Sequence, residues 1–310
     1  MNIENIYKQF LTSKLILFTI VFAFIAVRFF PISSQWNNLS FWGCLFIQIG
    51  IAFFLLQLNQ THSIIQGYTL LPALFYLLFI GINPVFYYDI KGSIAALCFV
   101  LCCYFLFDSF QKPESQVNAL NISLLLVLGS LLWTPLLFLF IILWIGFYHF
   151  QCFNVRVFFA SLAGFIIVYL FIFTFSIFQG DKNIFLSLLP QIDTLFSFQK
   201  PHLTIFDWIT CGFILLIYFI VGVNLFLSDI SERVWTVSVL SYFYISSSIL
   251  FLFFILQTGY QSSWGLICYI PITFLFTHFF SHSNKQGMHY LLLLFFILFI
   301  GIGVFQHISA

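Results

Sequence analysis

The sequence predicts an all-α, polytopic helical membrane protein with about eleven transmembrane helices, within a range of about ten to twelve. The first observation is its composition: 62% of the 310 residues are hydrophobic, and only 6% are Asp, Glu, Lys or Arg. Soluble domains carry about 25% of these charged residues. The second observation is that the apolar residues form long runs along the whole chain. Because a surface with so little charge is suited to lipid, we predict that residues 1–310 form one integral membrane domain.

The individual elements follow from the apolar runs between polar breaks, since about 17 to 25 apolar residues are needed to cross the hydrocarbon core. Residues 1–12 place apolar side chains at helical spacing and predict an amphipathic helix in the membrane interface. The longer runs predict full spans and are 15–30, 39–58, 157–178, 208–227, 237–256, 263–280 and 288–305. The shorter runs predict helices that thin the bilayer or form partly re-entrant hairpins, and they are 68–82, 93–107, 118–133 and 135–150.

The distribution of positive charges predicts that the amino terminus is inside, because cytoplasmic loops carry an excess of Lys and Arg. In this orientation the longest extracytoplasmic loop is 179–207. The inside then holds Lys8, Lys14, Lys112, Arg156, Arg233 and Lys285, and the outside holds Arg28, Lys91, Lys182 and Lys200.

Charged residues gather on the predicted outer face and form a candidate substrate-binding rim. Transfer of a sugar from a lipid-linked donor needs a carboxylate base and cations that hold the departing phosphate. If the chain is such a transferase, Asp89 and Arg28 are its candidate catalytic residues. The alternative is that these charges only solvate loops and reach the lipid headgroups. The candidate rim consists of Arg28, Asp89, Lys91, Lys200 and His202.

Other side chains offer no recognisable site. His278 and His282 share a helical face but have no acidic residue nearby as a third ligand, so we predict no metal site there. The seven cysteines lie almost entirely in apolar runs and are expected to be free thiols. The net charge of +1 gives no support for nucleic acid as a partner, and we predict no cofactor. We interpret the small residues of 160–164 and the serines of 246–248 as helix-packing features.

Four stretches of the chain stand out together: Ser13-Lys-Leu-Ile-Leu, Leu120-Asn-Ile-Ser-Leu-Leu-Leu through Trp133-Thr-Pro to Trp144-Ile-Gly146, Phe153-Asn-Val-Arg156 and Ile270-Pro-Ile-Thr-Phe-Leu-Phe. In these stretches the chain resembles an uncharacterised family, a domain of unknown function, of polytopic inner-membrane proteins in Gram-negative bacterial envelopes. The resemblance implies a multi-pass protein of the bacterial inner (cytoplasmic) membrane and no particular mechanism.

Two functions therefore stand as hypotheses. The first is an accessory or structural subunit of an envelope-biogenesis or protein-export complex, in contact with membrane lipids and membrane-protein partners. It follows from the absence of a catalytic signature such as a Walker loop or a nucleophile elbow. The second is a multi-span glycosyltransferase-like enzyme that acts on a lipid-linked substrate at the outer face, as the charged rim would allow.

Overall fold

The structure is a computed structural model, and it describes most of the central part of the chain. The described residues are 39–65, 69–82, 84–112, 114–179, 218–223, 234–256 and 261–282, with the single helical positions 212, 215 and 301. Their regular elements are all helical and include no strand, which confirms the predicted all-α class. The predicted helix 1–12 and run 15–30 lie outside the described residues, as do all but one residue each of loop 179–207 and run 288–305.

The α-helices of the described residues that have defined ends are numbered in chain order. They are α1 (Leu39–His62), α2 (Leu71–Ile82), α3 (Ile90–Asp108), α4 (Gln116–Ser130), α5 (Leu139–His149), α6 (Val155–Gln179), α7 (Val234–Leu256) and α8 (Gln261–His282). Two short 3₁₀ helices, Pro84–Tyr87 and Thr134–Phe138, precede α3 and α5. Residues 218–223 are also helical.

Five of these helices, α1, α3, α6, α7 and α8, are long and apolar enough to cross a membrane. By length and composition they are candidate membrane spans, as the predicted helical membrane class requires. The prediction that run 93–107 forms a short helix was wrong, because α3 has 19 residues. The three extra residues at its start, Ile90 to Gly92, are helical because the side chain of Asp89 caps the helix.

The other three short runs do form short helices, as predicted. With a rise of about 1.5 Å per residue, the 12 residues of α2 extend about 18 Å and the 15 residues of α4 about 22 Å. The break predicted between runs 118–133 and 135–150 is a turn in the structure. There α4 ends, the backbone of Trp133 is extended, and the 3₁₀ helix Thr134–Phe138 leads into α5.

Long-range contacts give the bundle two ends. At one end, the Ser263 hydroxyl bonds to Asp89, and the Trp264 ring lies 4.8 Å from that of Trp133; we call this the Asp89 end. At the other end, the indole N–H of Trp235 donates to the carbonyl oxygen of His62 at 2.8 Å. We call this second end the Asp108 end, since α3 runs from Asp89 to Asp108.

Small and hydroxylated side chains hold the helices together. A methyl group placed on Gly164 would collide with the Ser123 hydroxyl and lie 3.1 Å from the Leu120 carbonyl oxygen, so α6 touches α4 closely at this point. The serines of α7 bond to backbone carbonyls, and Ser247 also reaches the Tyr218 hydroxyl at 3.1 Å. Both predicted packing features are confirmed, inside this bundle.

Candidate functional site

The best-placed member of the predicted rim, Asp89, lies directly before α3 and is half-buried. Its Oδ1 accepts the backbone N–H of Gly92 at 2.8 Å, and its Oδ2 accepts the Ser263 hydroxyl of α8 at 2.6 Å. The first bond satisfies one of the free N–H groups at the start of a helix. The second bond joins residues 174 positions apart in the chain. The Asp89 carboxylate therefore starts α3 and ties it to α8.

The helices approach closely at this joint, and a glycine makes that possible. A methyl group on Gly92 would lie 2.6 Å from the Ser263 Cα and would also collide with the Asp89 carboxylate. Because no real side chain fits that space, Gly92 allows Ser263 to come within hydrogen-bonding distance of Asp89.

A second polar bridge lies beside the joint. Gln48 of α1 is completely buried, and its Nε2 donates to the Phe86 carbonyl oxygen at 2.9 Å and to the Ser93 hydroxyl oxygen at 3.2 Å. Ser93 in turn donates to the Asp89 carbonyl oxygen at 2.8 Å. The bridge thus supplies a hydrogen-bond donor for the Phe86 carbonyl in the connection between α2 and α3. Leaving that carbonyl unpaired in an apolar setting would be costly.

The rest of the predicted rim is only partly described. Lys91 lies in the first turn of α3 with an exposed side chain. Arg28, Lys200 and His202 lie outside the described residues. The structure therefore brings Asp89 together with Ser263, Gly92 and Ser93, which are not rim residues, and it leaves the proposed roles of the other cations as predictions.

The Asp108 end carries a second polar group. Asp108 and Lys112 form an ion pair at 3.1 Å, with 52% and 60% of their side chains exposed. Asn118 donates to Asp108 Oδ2 at 3.3 Å and to the Ser109 hydroxyl at 2.9 Å. An exposed ion pair of this kind contributes little to stability, about 0 to 1 kcal/mol. The exposed charges mark a surface in contact with water.

The thiols and histidines add no metal centre among the described residues. Six cysteines (Cys44, Cys98, Cys102, Cys103, Cys152 and Cys268) are thiols rather than disulfides, which confirms that prediction for them; Cys211 lies outside the described residues. In the connection after α5, burial raises the pKa of the Cys152 thiol. His278 is buried and His282 ends α8, and no group of three His, Cys, Asp or Glu side chains in the described parts could hold a metal ion.

Sequence reasoning missed the partners of the Asp89 carboxylate and the neighbouring Gln48 bridge. Gln48 offered a signal, because it is an uncharged polar residue near the middle of an apolar run, where an unpaired amide is costly. Ser263 and Gly92 offered none, since serine and glycine are common in membrane helices and their pairing requires the fold.

No protein-family model, curated protein or solved structure matches this chain. The resemblance to an uncharacterised inner-membrane family remains a prediction.

Proposed function

We propose that this chain is a multi-pass protein of the bacterial inner membrane, with its amino terminus inside, and that it acts as an accessory or structural subunit of an envelope-biogenesis or protein-export complex. The observation that carries this proposal is the bonding of Asp89. Asp89 is the candidate catalytic carboxylate. One of its oxygens accepts a hydrogen bond from the Gly92 N–H, and the other accepts one from the Ser263 hydroxyl.

This geometry favours a subunit over a transferase. A general base must turn an oxygen toward the proton that it removes from the acceptor. Asp89 is half-buried, and each of its two oxygens already accepts a bond that holds the helices in place. Moving this carboxylate toward a substrate would uncap α3 and break the tie to α8.

The proposal is tested by purifying the intact chain from its native membrane in a gentle detergent and weighing the particles by native mass spectrometry. We expect a membrane-protein partner in fixed stoichiometry. An unrelated multi-pass protein that carries the same tag at the same expression level serves as the control for adventitious partners. A lone chain that retains a polyprenyl-linked lipid would contradict the proposal and favour the transferase.

A further inference from the structure

The connection between α5 and α6 lies at the same level as the exposed charges of the Asp108 end. Within it, the Cys152 thiol donates to the Ser109 carbonyl oxygen at 2.6 Å. The Gln111 backbone N–H donates to the Phe150 carbonyl oxygen at 3.3 Å. Ser109 and Gln111 both lie in the chain between the two partners of the exposed ion pair of this end. Because exposed charges require water or headgroups, residues 150–154 lie at the membrane surface.

Arg156 follows this connection, in the first turn of α6, and its side chain is exposed. Gly164 of α6 meets Ser123 of α4, and both helices begin at the Asp108 end. Counting eight residues back along each helix places Arg156 level with Ser115, next to Glu114. Within the described parts of the chain, the guanidinium has no hydrogen-bond or ion-pair partner, and the exposed Glu114 does not pair with it. The donors of Arg156 are therefore available at the membrane surface.

Apolar side chains are exposed on both sides of this arginine. Val155 is 70% exposed, and Phe159, one turn further along α6, is 62% exposed. Tyr148, in the last turn of α5 on the other side of the connection, is 77% exposed. Aromatic side chains at the end of a span are typical of the level where acyl chains meet headgroups. A cation and an apolar surface thus lie together at the level of the phosphates.

The two helices under this surface are held in a fixed relation. The indole N–H of Trp144 in α5 donates to the Ser161 hydroxyl oxygen in α6 at 3.1 Å. The Trp144 ring also lies 5.2 Å from that of Phe158. At the start of α6, Asn154 Oδ1 accepts the Val157 N–H at 2.8 Å. The surface is therefore formed before a ligand arrives, which lowers the cost of ordering it on binding.

We propose that Arg156 and the apolar side chains around it bind a phospholipid, with the phosphate on the guanidinium. The planar guanidinium can donate to two phosphate oxygens at once, and the acyl chains then cover Val155 and Phe159. Lys112 is less suited to hold the phosphate, because its ammonium already pairs with Asp108. The lipid site is independent of the subunit role proposed above.

Lipid-dependent stabilisation tests the site. The full chain is purified in detergent without lipid, and its thermal midpoint is measured after addition of phosphatidylglycerol or of diacylglycerol with the same acyl chains, which lacks the phosphate. A ligand that binds only the folded protein raises the midpoint, so phosphatidylglycerol should raise it and diacylglycerol should not. Arg156→Gln should have the midpoint of the unsubstituted chain without lipid, since no described residue bonds to Arg156, and it should lose the rise with phosphatidylglycerol.

Native mass spectrometry measures the binding itself, with Lys91→Gln as the control that removes an exposed cation at the Asp89 end. Arg156→Gln should need about tenfold more phosphatidylglycerol to reach the same bound fraction, because it loses a hydrogen bond between charged groups. Lys91→Gln should bind like the unsubstituted chain. Unchanged binding by Arg156→Gln, an equal loss in Lys91→Gln, or equal stabilisation by diacylglycerol would overturn the proposal.

Discussion

Replacing Asp89 separates a structural carboxylate from a catalytic one. Asp89→Ala removes the cap of α3, which costs about 1 kcal/mol, and the hydrogen bond from Ser263, which costs about another 1 kcal/mol. We therefore expect a loss of roughly 2 kcal/mol in the free energy of unfolding. Asp89→Asn keeps an amide oxygen for the Gly92 N–H and places an amide N–H against the Ser263 hydroxyl oxygen, so it should cost less than about 1 kcal/mol.

The assay is thermal unfolding of the purified protein in detergent, with Ser263→Ala as the variant that removes only the tie between helices. At about 2 to 4 °C per kcal/mol, Asp89→Ala should lower the midpoint by roughly 4 to 8 °C, and Ser263→Ala and Asp89→Asn by less. In the double variant, the loss from Ser263→Ala should disappear, because its partner is already gone. An Asp89→Ala protein as stable as the unsubstituted chain, or additive losses in the double variant, would refute the joint described here.

Three further predictions test the packing, the buried bridge and the thiol. Gly164→Ala should destabilise the protein by about 1 to 3 kcal/mol through overpacking. Its control, Gly50→Ala, adds a methyl group that meets nothing within 4 Å and should stabilise the protein by up to about 1 kcal/mol. Equal shifts in thermal midpoint would contradict the close approach of α6 and α4. Gln48→Leu should cost about 1 to 3 kcal/mol because the Phe86 carbonyl loses its donor, and the exposed Gln57→Leu in the same helix should change the midpoint little. Burial raises the pKa of the Cys152 thiol, so this thiol should stay protonated at neutral pH. Peptide mass spectrometry should find it alkylated only above the pH range of ordinary thiols or after unfolding. Rapid labelling of the folded protein at neutral pH would be inconsistent with this burial.

Much of the fold was predictable because lipid imposes a simple rule on composition. The long runs that became α1, α6, α7 and α8 contain almost no charge, so they can only be spans or buried helices. Their observed ends differ from the predicted ones by four residues or fewer, with α1 extending to His62 rather than residue 58. At α3, however, hydropathy placed the start at Ser93, because Lys91 and Gly92 are not apolar. The helix instead begins at Ile90, directly after its cap Asp89.

The candidate site was predictable only in one residue. Asp89 could be singled out because a carboxylate at the edge of an apolar run is costly and therefore noticeable. Its partner Ser263 is 174 residues away, and a hydroxyl in a membrane helix can as easily bond to its own backbone, as Ser246 does. The role of Asp89 as a joint therefore depended on the tertiary structure.

The central claim is that the Asp89 end and the Asp108 end lie on opposite faces of the membrane. The most direct measurement compares Lys91→Cys with Lys112→Cys, since both lysine side chains are exposed in the structure. Spheroplasts are treated with a maleimide that cannot cross the membrane, before and after permeabilisation. With the amino terminus inside, Lys91→Cys should react in intact spheroplasts and Lys112→Cys only after permeabilisation. Equal labelling of both variants in intact spheroplasts would contradict the claim, and the reverse pattern would keep the two faces but invert the proposed orientation.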